Sequence, residues 1–259
     1  VQPLLFTVAF RRKMAQLSQH DRQEWLASLA ARVRRSPSRR LEEELREVAR
    51  GCRLPLVEGI QKQLGPFDAI HLGAILEVPR ERFVRPEDVE RCAEDVPLPL
   101  DDEGLATISA PHAYLLSFRL LELAPGDSLV ELGTGSGYGA ALGACIVGSS
   151  GRVSTFEIDP ALVHWAERLL VDHSTITVHH HDAVTSAPRW VHPKKVVVTF
   201  AVASLPASWL AALPEGGRLV APVGAREGDQ RLSLFRREEG RVVETDHGAV
   251  RYVKNRSDR

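Results

Sequence analysis

The stretch VELGTGSGYG, residues 130–139, constrains the fold more than any other part of the chain. An apolar segment ending in an acid, SLVEL (128–132), runs into Gly133, Gly135, Gly137 and Gly139, and then into the helical pattern GYGAALGACIVG. Alternating glycines mark a backbone that must turn sharply or pass close to a ligand, because glycine has no Cβ. The same order repeats downstream. RVSTFEI (152–158) reads as a strand, PALVHWAERLLV as a helix, TITVHHH (175–181) and KVVVTFA (195–201) as strands, SWLAAL as a helix and RLVAPV (218–223) as a strand. RLSLFRRE and GRVVETD close the pattern as an antiparallel pair around Glu239-Gly240. Strands alternating with helices of roughly a dozen residues specify an α/β fold, here a doubly wound, mainly parallel seven-stranded sheet. Ligands of such sheets bind at the carboxyl ends of the strands near the topological switch point. The glycine loop lies at that end of the first strand.

Upstream, residues 15–35 and 38–51 read as helices with Pro37 between them, the second carrying glutamates in its first turn, where the helix dipole favours them. DAIHLGAILE (68–77) is a short helix closed by Val78-Pro79. RPEDVERCAEDVPLPLDDEG is loop-rich, with Pro97 and Pro99 expected to exclude regular structure. From Pro111 a helix presents Leu115, Phe118, Leu121 and Leu123 as an apolar stripe. The expected division is a basic helical extension, 1–55, and an α/β domain, 56–259. Residues 1–55 hold 12 Lys and Arg against 6 Asp and Glu, while the remainder holds 21 against 28. Nucleic-acid binding is one reading of that basic segment; two solvated helices is the simpler one, and no nucleic-acid partner is expected. No apolar run is long enough to span a bilayer. VQPLLFTVAFRRK has its apolar run ahead of its basic residues, the reverse of a secretory signal. Cys52, Cys92 and Cys145 are scattered and odd in number, which argues for a reducing cytoplasm and against a disulfide framework or zinc site. Met14 is the only methionine, so translation starting there rather than at Val1 would leave residues 1–13 without a structural role.

Several ligands compete for the loop. A nucleoside triphosphate needs GxxxxGK[ST], and no lysine follows these glycines; a dinucleotide needs GxGxxG, and position 138 is Tyr. A nucleophile elbow needs glycine where Thr134 stands. S-adenosylmethionine remains, a ligand with a sulfonium and an ammonium and no phosphate. Glu131 at the first strand end suits its positive charge, Glu157 at the second its ribose hydroxyls, and Asp182 after the third its adenine amino group. Taken singly, Glu131 reads equally as a capping residue, and Glu157 or Asp159 as ordinary loop acids; three acids ending successive strands are a stronger signal. His179, His180 and His181 beside Asp182 raise a metal site, but adjacent side chains of a strand alternate faces and cannot all reach one ion. No metal is expected.

VPRERFVRPEDVERCAEDVPLPL followed by ATISAPHA resembles the protein-L-isoaspartate O-methyltransferases, and the likeness continues through LELAPGDSLVELGTGSGYGAAL, LPEGGRLVAPVG, QRLSLFRR and GAVRYV, roughly residues 57–254. The resemblance implies a Rossmann-like methyltransferase fold with the last two strands exchanged relative to most methyltransferases. It also implies a cytosolic enzyme that uses S-adenosylmethionine, releases S-adenosylhomocysteine, and methylates the α-carboxylate of an isoaspartyl residue in a protein or peptide, in protein repair. Carried onto this chain, Ala106, Thr107, Ile108, Ser109 and His112 border cofactor and substrate, and Ser109 matches the family's active-site hydroxyl. Gly133, Glu157, Ile158, Asp182 and Ala183 match its cofactor contacts, with Glu131, Thr134 and Gly135 completing the loop. Two further readings stay open: Ser109 as a cap of the helix from Pro111, and His112 as a first-turn residue without ligand contact.

The chain departs from the family at Gly104-Leu105-Ala106, at Asp182-Ala183, at Lys195 where an aspartate is usual, and at Ala93 where a tyrosine is usual. Ala93 and Leu105 lie nearer the substrate side. A second reading is therefore a peptide-specific carboxyl O-methyltransferase acting on a ribosomally made natural-product peptide, gripped by the helical extension. A third is a non-enzymatic cofactor sensor that contacts nucleic acid, against which the intact ATIS block speaks.

Overall fold

A computed structural model of the chain describes residues 16–36, 38–224 and 229–255. Val1, residues 1–13, Met14 and Pro37 of the sequence analysis lie outside the described residues.

Helix α1 (Gln19–Arg35) starts where the chain supplies a capping box, four residues later than the sequence pattern reads. The Ser18 hydroxyl accepts the Asp21 N–H at 3.1 Å and the Asp21 carboxylate accepts the Ser18 N–H at 3.2 Å, which satisfies two otherwise orphaned donors. Helix α2 (Arg39–Leu64) is capped by Ser38 and runs on to Leu64 instead of ending at Gly51. Its buried stripe continues past Gly51 at helical spacing through Cys52, Leu56, Val57 and Ile60. That burial outweighs the cost of Pro55 inside the helix, about 3 kcal/mol. Helix α3 (Ala69–Glu77) stops at Val78, before Pro79. Arg53 of α2 forms a buried ion pair with Glu81 at 2.8 Å, the two side chains 2% and 0% exposed. Arg53 also donates to the Leu76 carbonyl at 2.7 Å, so α2 is tied to the end of α3.

Strands β1 (Leu98–Pro99) and β2 (Thr107–Ile108) form a two-residue antiparallel ladder where prolines were expected to exclude regular structure. Proline removes only a donor, and an edge ladder this short survives without it; the neighbouring Leu100 N–H donates to Ala106 at 2.9 Å. Helix α4 (Pro111–Leu121) has proline at its first turn and buries Leu115, Phe118 and Leu121. Lys195 donates to the Leu121 and Glu122 carbonyls at 2.6 and 3.2 Å, capping the far end of α4.

The sheet region follows as β3 (Ser128–Leu132), α5 (Tyr138–Val147), β4 (Arg152–Glu157), α6 (Pro160–Leu170), β5 (Ile176–His180), β6 (Lys195–Val198), α7 (Ala207–Ala212), β7 (Arg218–Val223), β8 (Arg231–Glu238) and β9 (Arg241–Ala249). The strand order is β5-β4-β3-β6-β7-β8-β9, parallel from β5 to β7, with β8 and β9 antiparallel. This is the expected doubly wound fold, and the last two strands lie in chain order, the exchange that the resemblance implies. Strand periodicity sorts the side chains into two layers. Leu129, Val153, Val197 and Val220 join a core that also holds Leu26, Leu29 and Leu45 of the first two helices. Val130, Leu132, Val196 and Val198 pack on the other face with Trp190 and Trp209.

Candidate active site

The glycine loop leaves β3 at the strands' carboxyl ends, and its conformation is fixed from both flanks. Gly133 has φ +94°, and a Cβ there would collide with the Thr199 hydroxyl and the Phe200 ring, so only glycine fits. Thr199 donates to the Gly133 carbonyl at 2.6 Å and to Leu132 at 3.0 Å, which fastens the loop to the end of β6. From the other side, Gly135 N–H donates to Glu157 Oε2 at 2.9 Å. Glu157 Oε1 accepts the Ile158 and Asp159 N–H groups at 3.0 and 3.1 Å. Three backbone donors thus hold the Glu157 carboxylate in one orientation, 7% exposed. Asp182 accepts the Val184 N–H at 2.9 Å and opens a 3₁₀ turn, Ala183–Thr185. The Ala183 carbonyl takes bonds from the Trp209 indole at 3.0 Å and the Ser186 hydroxyl at 2.7 Å.

These groups line one cavity. Ala106, Thr107, Gly133, Gly135, Glu157, Ile158, Asp182 and Ala183, all named from the sequence, face it. Leu105, named from the sequence as nearer the substrate side, faces it too, and so do Phe156, Leu162, Thr199, Phe200, Val253, Lys254 and Asn255, which were missed. Thr199 and Phe200 follow directly on a strand end, the signal that found Glu157. The carboxyl-terminal residues had no local signal: they arrive through a bridge between Ala201 and Lys254.

Ile108, Ser109, His112, Glu131 and Thr134 stand outside the lining. Glu131 was expected to face the cationic ligand. It lies instead beneath α5, 1% exposed, where a Cβ on Gly139 would overlap its carboxylate. Oε2 accepts the Thr155 hydroxyl at 2.7 Å, and Thr155 lies 2.7 Å from the Thr134 hydroxyl. Burial, partly offset by the Thr155 bond and reinforced by the Glu157 charge, pushes the Glu131 carboxyl up to about 8.

Ser109 is 8% exposed and is not the cap, since Ala110 holds the N-cap position of α4 and no side chain caps it. Asp95 accepts the His112 N–H at 3.0 Å, with His112 Nδ1 also 3.0 Å away. Burial raises the Asp95 carboxyl, but its bonds to His112 outweigh that and hold it below the usual range. Arg80, fully buried, donates to the Ser109 carbonyl at 3.2 Å and to Cys92, Glu94 and Val96 at 3.3, 3.0 and 2.7 Å. Its guanidinium therefore stitches the Asp95 segment to the Ser109 block. The three histidines diverge: His179 stacks on Phe156 at 4.5 Å, His180 lies 3.3 Å from the Ile158 carbonyl, and His181 lies 3.4 Å from the Thr185 hydroxyl. Among the described residues no group of three or more His, Cys, Asp or Glu is placed to hold a metal ion, and no helix is long and apolar enough to cross a membrane.

A protein-L-isoaspartate O-methyltransferase of Pyrobaculum arsenaticum is 38% identical over 183 residues, covering 70% of this chain and 86% of its own. A solved protein-L-isoaspartate O-methyltransferase superposes with a TM-score of 0.69 at 25% identity, over 78% of this chain and 65% of its own. A Plasmodium falciparum β-aspartate methyltransferase, crystallised with S-adenosyl-L-homocysteine, has the same fold, with a TM-score of 0.65 at 22% identity over 78% of this chain and 97% of its own. The model of the protein-L-isoaspartate(D-aspartate) O-methyltransferase family matches residues 68–259. That span takes in the whole sheet and every residue lining the cavity, and the chain belongs to this family.

Proposed function

We propose that this chain is an S-adenosylmethionine-dependent enzyme that methylates the α-carboxylate of L-isoaspartyl residues in proteins and peptides, in protein repair. The observation that carries the reading is the cavity at the ends of β3 and β4, walled by Cβ-free backbone and an immobilised carboxylate. The residues present fit the cofactor. Gly133 and Gly135 would allow close backbone approach, Glu157 would offer an acceptor for ribose hydroxyls, and Asp182 with Ala183 would hold the adenine. Ile158 is a 37% exposed apolar cover. When bound, the cofactor supplies a methyl group activated on a sulfonium.

The chain's own residues then have little proton chemistry to do. An α-carboxyl group ordinarily titrates at about pH 3.3–3.7 and is ionised at neutral pH, so no general base is needed. Ser109, held through its carbonyl by Arg80, is the residue this reading assigns to orient the acceptor carboxylate by a hydrogen bond from its hydroxyl. Good orientation supplies on the order of 7–11 kcal/mol. His112, engaged with Asp95, is left out of the chemistry. In this reading residues 56–259 form the methyltransferase part and residues 1–55 its helical extension, with α2 running across both. The scattered cysteines assign it to the cytoplasm. The dedicated-peptide alternative is not favoured, since relatives such as the Pyrobaculum protein carry the repair-enzyme name.

Paired peptides that differ only in an aspartyl or isoaspartyl linkage test the reading. The expected result is methylation of isoaspartyl peptides of unrelated sequence and of none of their aspartyl partners, with Ser109→Ala slowing turnover while S-adenosylhomocysteine affinity is retained. Transfer to a single partner peptide and to no isoaspartyl peptide would overturn it.

A further inference from the structure

We propose that Lys254 is the acceptor-selecting cation of this site, its ammonium binding the carboxylate that is to be methylated. The proposal rests on the methyl-transfer reading above. Three charged residues occur among the described lining of the cavity: Glu157, Asp182 and Lys254. Glu157 ends β4 and Asp182 follows β5, on one flank of the sheet order β5-β4-β3-β6. Lys254 sits on the opposite flank, beyond β6, bridged to Ala201. The cavity is therefore electrically polar, acidic on the flank whose carboxylates would hold the nucleoside and basic across from it.

The lysine is also mounted for such a role. Ala201 N–H donates to Val253 at 2.8 Å and Asn255 N–H donates to Ala201 at 3.1 Å, so the backbone is pinned on both sides of Lys254. Asn255 is buried, whereas Lys254 is exposed while lining the cavity, so an incoming acceptor can reach it. Among the described residues its ammonium has neither ion-pair nor hydrogen-bond partner. An anionic acceptor meets that charge on arrival. In methyl transfer a carboxylate lone pair would form the oxygen–methyl bond while the methyl–sulfur bond breaks and its electron pair returns to sulfur, so the anionic acceptor would become a neutral ester and the sulfonium a neutral thioether. The attraction is thus strongest for bound acceptor, weaker in the transition state and absent for product. Lys254 should act on KM and not on product release, and because part of the attraction is lost on the way to the transition state, kcat without it should stay level or rise slightly.

Steady-state kinetics of the full chain with an isoaspartyl peptide, at low and high salt, tests this alongside calorimetric titration with S-adenosylhomocysteine. Lys254→Met should raise the peptide KM by roughly five- to twentyfold with kcat within about twofold. Lys254→Arg should stay near wild type, Lys254→Glu should be worse than Lys254→Met, and the salt dependence of KM should vanish in Lys254→Met. S-adenosylhomocysteine affinity should be the same in all four proteins. An unchanged KM in Lys254→Met, with the wild type active, overturns the assignment and leaves the methyl-transfer reading standing. Weakened S-adenosylhomocysteine with unchanged KM also overturns it, because the ammonium would then serve the cofactor's own carboxylate. A wild type inert toward every isoaspartyl peptide removes the underlying reading, and this proposal with it.

Discussion

Glu131 accepts the Thr155 hydroxyl at 2.7 Å, closed off from solvent under α5, so its carboxylate braces the loop from behind. Its folded-state carboxyl lies near 8, above the ordinary value of 4.5. Between about pH 5 and pH 8 the folded chain keeps a proton that the unfolded chain has lost, so stability falls as pH rises through that window. Glu131→Gln has no such proton. In ligand-free protein its thermal midpoint, relative to wild type, should move up by roughly 5–10 °C between pH 5 and pH 8.5. Scanning calorimetry that gives parallel pH profiles would contradict this. Residue type and spacing made Glu131, Glu157 and Asp182 legible as a set, but not which way each faces. Leu129 and Glu131 share one face of β3, so the position that ends the strand beside the loop also points into the core. Ser109 was expected to border the site but stands outside the cavity lining, and Asp95, distant in sequence, supplies the carboxylate that meets the start of the helix.

At the scale of elements, the strands and helices around the sheet were readable because each carries its own period and its own stop signal. Two features were not. Gly51 and Pro55 read locally as the end of α2, yet the buried stripe draws the helix through both. The β1–β2 ladder depends on two irregular segments meeting, which no local pattern encodes. The extended α2 carries Arg53 to Glu81, where burial raises the Glu81 carboxyl and Arg53 counters it. Arg53→Ala leaves that acid buried and alone, and should cost about 3–5 kcal/mol in denaturant unfolding, whereas Arg53→Met with Glu81→Leu should restore most of the loss. A loss below about 1 kcal/mol in the single variant would show that the pair does not hold the extension to the rest of the chain.

Across the whole molecule, sheet order decides what the cavity can bind. The crossover between β3 and β6 brings Gly133 against Thr199, sets the acids to one side and delivers the carboxyl-terminal segment to the other. The first two helices share a continuous core with the sheet layer, so these helices belong to the same folded body. Glu157 is the side chain on which cofactor binding in this cavity turns, and calorimetric titration of Glu157→Ala with S-adenosylhomocysteine tests that assignment directly. The expected result is binding weaker by about 1–3 kcal/mol, roughly five- to 150-fold, in a variant that still unfolds cooperatively. Affinity equal to wild type would mean that the nucleoside lies elsewhere.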